Sequence, residues 1–333
     1  MQSVLMEKNE HLGIITLNRP KSLNAMNADL VEEFHRALDI FVEDEDIRVI
    51  ILTGAGRAFC AGGDLGYLES LNDDKKRKAF IERVGEMTLK LRNCAKPVIG
   101  MINGVTAGAG VNLMLACDIV CSSEDAKFIQ SFVNVGLVPD CGGMYLLKET
   151  VGLQKAKELM FTADVISAQE AEKLKMVMHV YTKEDLKIET EKIAQKIAQG
   201  APMAIMYMKK MLNKSYANLK DFLDEEALVQ TFCLGTEDCK EGILDSLSEA
   251  NRIFSGYIGG QLTDAIVMAT LISLAFLIIG IDYPFIIGVI SGFSNLIPYV
   301  GAIVAFFLAV SVALLGGSPI KAMYAAIVIL LLQ

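Results

Sequence analysis

An abrupt loss of charge near residue 250 is the feature that most constrains how this 333-residue chain can fold. The sequence contains 31 basic and 40 acidic residues. Only four of them follow residue 250, and these are Arg252, Asp264, Asp282 and Lys321. The net charge of −9 therefore belongs to the first part, because the four later charges cancel. We predict two domains, residues 1–249 and 250–333, with the boundary near Glu249 to Ser255.

The second part consists of three apolar runs, Thr263–Ile281, Pro284–Gly316 and Pro319–Leu332. The first run is long enough to cross the hydrocarbon core of a bilayer. The second is too long for one straight passage and is interrupted near Pro298, which predicts a bent or re-entrant path. We therefore expect an all-α hydrophobic segment embedded in a lipid bilayer. The alternative is the buried core of a soluble protein.

The first part alternates short apolar runs with longer amphipathic stretches. The runs predicted as strands are Ile14–Leu17, Val49–Thr53 and Val98–Ile102, and the predicted helices are Asn27–Val42 and Tyr67–Leu91. Strands interleaved with helices predict an α/β sheet, followed by an almost wholly helical region from about residue 183 to 250. The acidic charge of this part argues against nucleic acid as a partner, because phosphate binding needs a basic surface.

The cysteines and the N-terminus bear on location. Seven cysteines are scattered without a C-x-x-C pair, which predicts reduced thiols and argues against a metal site. The first residues contain no long apolar core, so no secretory signal is expected. Both observations favour a cytoplasmic location for the first domain.

Two glycine-rich turns each follow a predicted strand. The first spans Ala58 to Leu65 (A-F-C-A-G-G-D-L), and the second spans Asn103 to Gly110 (N-G-V-T-A-G-A-G). Small residues let the backbone approach a ligand closely, and a helix start adds free N–H groups. Two such N–H groups that converge on one point would form an oxyanion hole.

The order and spacing of five motifs resemble the crotonase, or enoyl-CoA hydratase/isomerase, superfamily over residues 3–246. The motifs are N-R-P-x-x-L-N-A-M (Asn18 to Met26), F-C-A-G-G-D-L, I-N-G-x-x-A-G-A-G, A-C-D-I-V (Ala116 to Val120) and G-L-V-P-D-x-G-G (Gly136 to Gly143). The resemblance implies a spiral β-sheet core with surrounding helices, assembled as trimers or hexamers. It also implies acyl-CoA thioester substrates and an enolate-like intermediate, with no metal or redox cofactor.

Carried over residue by residue, the resemblance implies that the N–H groups of Gly63 and Ala109 form the oxyanion hole. Ala61 should contact the adenine end of coenzyme A, with Leu23 and Ala25 along its path. Asp64 also matches a family position, but a helix N-cap is the interpretation we favour for it. The other positions expected to border the substrate are Gly62, Leu65, Gly108, Asn112, Phe132 and Pro139.

The acid/base residue decides the reaction. The family's hydratases use two glutamates, at positions that Asn112 and Phe132 occupy in this sequence. Neither residue can carry a proton at neutral pH, so Asp140 is the remaining candidate, as in the 1,2-epoxyphenylacetyl-CoA isomerase and enoyl-CoA isomerase branch. Apolar neighbours such as Phe132 and Val138 should raise its pKa. The alternatives are a helix cap at Asp140, or a hydratase or ring-opening hydrolase on the same scaffold.

Residues 250–333 resemble a fragment of the autoinducer exporter-like, or PerM-like, family of membrane proteins. The matching motifs are Asn251 to Gln261 and Asn295 to Gly301. The family's earlier spans are missing, which suggests an accidental fusion more than a tethered enzyme, and we expect no transport. The alternative from another functional class is a membrane transport protein with an idle N-terminal domain.

Overall fold

The structure, a computed structural model, describes residues 2–294 and 300–332. The chain divides into two compact units, Met1–Thr236 and Glu237–Gln333. The boundary predicted near residues 249–255 lies inside one continuous helix of the second unit. The division at residue 249 stays a prediction.

The first unit contains two β-sheets. The strands are β1 (Val4–Asn9), β2 (Leu12–Leu17), β3 (Val49–Gly54), β4 (Ala58–Cys60), β5 (Val98–Ile102), β6 (Val105–Ala107), β7 (Ile119–Ser123), β8 (Lys127–Ile129), β9 (Ile166–Ser167) and β10 (His179–Tyr181). The larger sheet has the order β1-β2-β3-β5-β7-β10, and the smaller has the order β4-β6-β8-β9. All neighbours are parallel except β1–β2 and β8–β9.

Helices enclose these sheets. They are α1 (Ala28–Glu43), α2 (Leu65–Ser70), α3 (Asp74–Asn93), α4 (Ala109–Leu115), α5 (Gly143–Val151), α6 (Leu153–Thr162), α7 (Ala168–Lys173), α8 (Leu186–Ala198), α9 (Pro202–Leu212) and α10 (Leu219–Leu234). Alternate residues of β3 serve the two faces of the larger sheet: Ile50 and Leu52 join the core that α1 covers, and Val49 and Ile51 join the core under α8. The predicted α/β architecture is confirmed.

One predicted helix, Tyr67–Leu91, is instead two helices. The first, α2, ends at Ser70, and the Asp73 side chain accepts a hydrogen bond from Lys75 N at 2.9 Å to start α3. A cap of this kind satisfies an N–H group that the new helix leaves free. The break matters because Leu71, between the two helices, lines the cavity described below.

The second unit is helical in its described residues. Its helices are α11 (Glu237–Ile279), α12 (Pro284–Ser294), α13 (Val300–Leu315) and α14 (Pro319–Leu332). By length and composition, α11 is the one helix among the described residues that could cross a membrane. Small residues bring α12 against it: a Cβ added at Gly292 would lie 2.3 Å from the Ala265 carbonyl oxygen. The predicted interruption at Asn295 and Pro298 lies outside the described residues.

Close backbone contacts join the glycine turns of the first unit. A Cβ added at Gly110, in the first turn of α4, would lie 2.2 Å from the carbonyl oxygen of Cys60 at the end of β4. A Cβ added at Gly104 would lie 2.2 Å from the Arg57 carbonyl oxygen. The Cys60 and Arg57 oxygens are backbone atoms, which cannot change rotamer to make room as a side chain can. Glycine at these positions is therefore what allows the second turn to pack on the first.

We expect Gly110→Ala to destabilise the protein by about 1–3 kcal/mol, the usual cost of forcing extra volume into a packed core. The matched control is Gly85→Ala, in the middle of α3, where an added Cβ meets nothing within 4 Å. That change should be neutral or stabilising by up to about 1 kcal/mol, because alanine favours a helix interior over glycine. Thermal unfolding of both variants is the measurement. Equal stability of the two would contradict the packing argument.

Candidate active site

The two glycine turns border a cavity of about 450 Å³ in the first unit. Eight of the residues predicted for the site line it: Ala61, Gly62, Gly63, Leu65, Gly108, Ala109, Phe132 and Asp140. They come from four separate stretches of sequence, so the fold brings them together. The structure thus places the proposed oxyanion donors and the proposed acid/base residue around one space.

The backbone N–H groups of Gly63 and Ala109 have no hydrogen-bond acceptor among residues 2–294 and 300–332. The backbone of Met26 pairs with the two neighbours of Gly63: its N–H donates to the Gly62 carbonyl, and its carbonyl accepts from Asp64 N. Gly63 N takes no part in this pairing. Ala109 is the first residue of α4, where the helix supplies no acceptor. Neither N–H donates a hydrogen bond to any group in the part of the chain that the structure describes.

The conformation of Gly62 brings the two turns together. Its φ is +92°, and a Cβ added to it would lie 2.9 Å from the Ala107 carbonyl oxygen and 3.3 Å from Ala109 N. A side chain at this position would be both strained and crowded. Two unpaired N–H groups on adjacent turns that border one cavity can stabilise negative charge on an oxygen placed between them.

Asp140 is the only carboxylate among the described residues that line the cavity. Its Oδ1 atom is buried without a hydrogen-bond partner among the described residues. Burial raises the pKa of this carboxyl group to about 6, against a weaker opposing effect of a hydrogen bond from its own backbone. A carboxyl group that changes protonation near neutral pH can both accept and return a proton.

The structure argues against the alternative that Asp140 caps a helix. Helix α5 begins at Gly143, its N-cap residue is Gly142, and no side chain makes a capping hydrogen bond there. Asp140 instead contributes its carbonyl oxygen, which accepts from Gly143 N at 2.8 Å. The carboxylate is left to the cavity.

Asn112 does not line the cavity, although the sequence predicted it at the substrate. It is fully buried on α4. Its Nδ2 donates to the Asp140 carbonyl oxygen at 2.8 Å, and its Oδ1 accepts from Gln130 Nε2 at 2.8 Å. With both polar ends committed to protein groups, Asn112 contacts the turn that carries Asp140 and not the cavity itself.

Asp64 lies outside the cavity lining and acts as the N-cap of α2, as predicted. Its side chain accepts from Tyr67 N at 3.1 Å and forms an ion pair with Arg19 at 2.8 Å. Burial alone would raise the pKa of Asp64, but the hydrogen bonds from Arg19 and Tyr67 outweigh it and lower the pKa below its ordinary value. Asp64 therefore stays ionised and structural.

Leu23, Ala25 and Pro139 also lie outside the lining. The carbonyl of Leu23 accepts from Ala61 N at 2.9 Å, so Leu23 positions the backbone of the first turn. The carbonyl of Ala25 accepts from the guanidinium of Arg19. The predicted contacts of Leu23 and Ala25 with coenzyme A stay predictions.

Half of the cavity wall was not predicted from the sequence. It comes from α2, α3 and the link between them, and from residues 131–137, which precede Asp140: Leu68, Leu71, Arg77, Ile81, Ser131, Asn134, Val135 and Leu137. Five of these eight residues are apolar. The sequence does contain a signal for the break that brings Leu71 to the cavity, because the polar residues from Asn72 to Lys78 interrupt the apolar pattern and include the capping residue Asp73.

Two cysteines near the site are buried in the core. Cys60 and Cys141 are buried, and burial raises the pKa of the Cys60 thiol to about 12 and that of Cys141 well above its ordinary value. Thiols in that state are poor nucleophiles. Neither thiol therefore competes with Asp140 as a candidate reactive group.

Comparison with known proteins identifies the family. The model of the enoyl-CoA hydratase/isomerase family matches residues 7–251. The chain belongs to that family. A probable mitochondrial enoyl-CoA hydratase from Dictyostelium discoideum is 37% identical over 239 residues, covering 71% of this chain and 85% of that protein. The 1,2-epoxyphenylacetyl-CoA isomerase of Escherichia coli K12 is 33% identical over 260 residues, covering 77% of this chain and 99% of the other.

Solved structures of the family share the fold of the first unit. The crystal structure of an enoyl-CoA hydratase from Bacillus anthracis superposes with a TM-score of 0.72 at 30% identity, covering 74% of this chain and 97% of that one. This confirms the predicted crotonase-like α/β core. The model of the AI-2E family transporters matches residues 222–333, which confirms the second resemblance predicted for the C-terminal region.

We expect Ala109→Pro to lower kcat by about 100- to 1000-fold, the usual effect of removing one oxyanion donor. Proline lacks the N–H group but is well tolerated at the first residue of a helix, which Ala109 occupies. The control, Ala109→Gly, keeps the N–H group and should retain most of the activity. Steady-state turnover and circular dichroism of both variants are the measurements. A folded Ala109→Pro enzyme with normal turnover would exclude this N–H group from the oxyanion hole.

Proposed function

We propose that the first unit isomerises acyl-CoA thioesters by moving a double bond along the acyl chain, with Asp140 as the single acid/base residue. The observation that supports this most directly is that Asp140 is the only carboxylate among the described residues of the cavity wall. Its raised pKa suits a group that must take up a proton and release it within one turnover.

In the proposed mechanism, the ionised carboxylate of Asp140 removes a proton from the acyl chain. The electron pair moves toward the thioester, and negative charge grows on its oxygen. The N–H groups of Gly63 and Ala109 stabilise this charge by hydrogen bonding. Asp140 then returns the proton to a different carbon, which completes the shift without consuming water. The chemistry requires no resident metal or redox group.

Hydration makes a different demand on the site. In a two-carboxylate hydratase, one group activates water while the other delivers a proton. The second carboxylate has no counterpart among the described residues of the cavity wall. Phe132 is apolar, and the Asn112 side chain is hydrogen-bonded to Gln130 and Asp140. This chemistry favours proton transfer within the substrate over addition of water.

Hydration is nevertheless the second candidate, because relatives of both kinds are similar to this chain. Besides the probable hydratase from Dictyostelium, the short-chain-enoyl-CoA hydratase of Clostridium acetobutylicum is 34% identical over 246 residues. Ring-opening hydrolysis on the same scaffold is a further alternative. Isomerisation, hydration and ring-opening hydrolysis all start from a coenzyme A thioester, and they can be distinguished by their products.

We also propose that α11 anchors the chain in a lipid bilayer, with the first unit on the cytoplasmic side. Only 28% of its most apolar window is buried, so most of this apolar surface needs another cover. The match to a transporter family supports the same conclusion. Self-association of the first unit as a trimer or hexamer is a separate proposal, supported by exposed apolar side chains such as Leu212 on α9 and Leu228 on α10.

We expect Asp140→Asn to lower isomerisation of a 3-enoyl-CoA ester by about 100- to 10,000-fold, because an amide of similar size cannot carry the proton. The assay uses the full-length protein in mild detergent, and mass spectrometry separates an isomer, whose mass is unchanged, from a hydrated product. Binding of a product analogue should persist. Faster conversion of 2-enoyl-CoA to a hydrated product than of 3-enoyl-CoA to its isomer would favour the hydratase instead.

The pH dependence gives a second, independent result for Asp140. The wild-type kcat should fall as the pH is lowered through about 6, since the base must be ionised. The stability effect has the opposite sense: the folded state holds this proton more tightly than the unfolded chain, so wild-type stability decreases as the pH rises from about 4 to about 6. Asp140→Asn should lack that decrease. Identical stability curves for both proteins would contradict a desolvated carboxyl group.

We expect the full-length chain to remain in the membrane fraction after alkaline washing and a chain ending at Thr236 to be soluble. The physical reason is that α11 begins at Glu237 and carries the apolar surface. Immunoblots of both fractions are the measurement, and light scattering of the soluble chain reports its assembly. Release of the full-length protein by the alkaline wash would contradict the membrane anchor. A stable monomer of the shorter chain would contradict assembly as a trimer or hexamer.

A further inference from the structure

Two buried amides behind the cavity wall have no role in the chemistry proposed above. Asn112 is fully buried on α4, and Gln130, just after β8, is 3% exposed. Gln130 Nε2 donates to Asn112 Oδ1, and Asn112 Nδ2 donates to the Asp140 carbonyl oxygen, each at 2.8 Å. The two side chains therefore form a chain of hydrogen bonds that ends on the backbone of the acid/base residue.

The direction of this chain is set by chemistry. A carbonyl oxygen can only accept, so the group of Asn112 that faces Asp140 must be its NH₂ group. The Asn112 oxygen then faces Gln130 and requires a donor, which fixes the Gln130 amide as well. The remaining Gln130 oxygen, Oε1, is buried without a partner among the described residues. An unpaired buried oxygen is costly, so the arrangement maintains the Asn112 orientation at some expense of stability.

The turn that receives these bonds is unusual in its backbone. Cys141 and Gly142 both adopt left-handed conformations, with φ of +48° and +69°. Such a conformation is unfavourable for a residue other than glycine, so Cys141 needs support from its surroundings. Thr88 Oγ1 donates to the Cys141 carbonyl at 2.9 Å, and Asn112 and Gly143 N both donate to the Asp140 carbonyl.

Space around Asn112 is as restricted as its hydrogen bonding. A Cβ added at Gly143 would lie 2.2 Å from Asn112 Nδ2, so the amide packs directly against the start of α5. Asp140 Oδ1, by contrast, has no partner among the described residues. The position of the carboxylate in the cavity therefore depends on how its backbone is held.

We propose that Asn112 and Gln130 are positioning residues that hold the Asp140 turn so that its carboxylate faces the substrate. The inference rests on the proposed role of Asp140 as the acid/base residue. Neither amide contacts the cavity, so each acts only through the placement of Asp140. Loss of either should slow the proton transfer more than it weakens substrate binding, because the lining residues remain in place.

The test replaces Gln130 with methionine in the full-length protein, which keeps the volume and removes the donor to Asn112. We expect kcat to fall by about 10- to 100-fold, typical of a misplaced catalytic group, with KM changed less than about twofold. The acidic limb of the kcat–pH profile should also move to lower pH, because a released carboxylate gains solvent or backbone partners. Gln130→Leu, which also lacks a donor to Asn112, should show the same loss of kcat and serves if Gln130→Met does not fold.

The matched control is Thr53→Val, which removes a different buried hydrogen bond from a side chain to a carbonyl. That bond joins β3 to β5, and its length is 2.7 Å from Thr53 Oγ1 to Met101 O. The substitution should lower the melting temperature while leaving kcat and the pH profile unchanged. If the folded Gln130 variants keep both the wild-type kcat and its acidic limb while Asp140→Asn is inactive, the positioning role is overturned and the proposed function stands. If Asp140→Asn is active, both are overturned.

Discussion

The site depends on one packing constraint, the direct contact between the first turn of α4 and the end of strand β4. Gly110 lies against the Cys60 carbonyl so closely that a single added carbon would overlap it. Because the two backbones touch, Gly63 N and Ala109 N border the same cavity, each without a partner among the described residues. The positions of these two N–H groups are thus a consequence of the packing of α4 on β4, and they depend on no side chain.

Two buried ionisable groups of the first unit, Lys209 and Asp140, differ in how completely they are paired. Lys209 is buried on α9, forms an ion pair with Asp118 at 2.8 Å and donates to the carbonyls of Leu91 and Lys96. That charge is fully paired, and it ties the helical region to the end of the sheet. Asp140 is the contrasting case, since Oδ1 has no partner in the described part of the chain and burial raises the pKa of the carboxyl group. Buried charges that are paired usually have a structural role. A desolvated carboxyl group that borders a cavity is instead typical of a catalytic or binding site.

The change from a charged to an almost wholly apolar sequence lies within helix α11. Its first turns carry charged residues such as Glu237 and Lys240, and its later turns are almost wholly apolar. A helix satisfies its backbone hydrogen bonds internally, so it can continue from an aqueous to an apolar environment without a loop. This explains how a change in charge that is sharp in the sequence leaves no break in the secondary structure near residue 250.

The sequence by itself determined much of the fold of the first unit and which residues are candidates for the chemistry. The apolar run Val98–Ile102 is strand β5 with the predicted bounds, and Asn27 caps α1 as the first residue of its predicted helix. The glycine turns and the absence of carboxylates at positions 112 and 132 were also readable, because local sterics and residue chemistry decide them. Tertiary structure alone decided that Leu71 reaches the cavity, that Asn112 faces Gln130 and that Asp140 caps no helix. These facts depend on contacts between segments distant in the chain, and no local pattern of residues encodes which of two buried polar groups will meet.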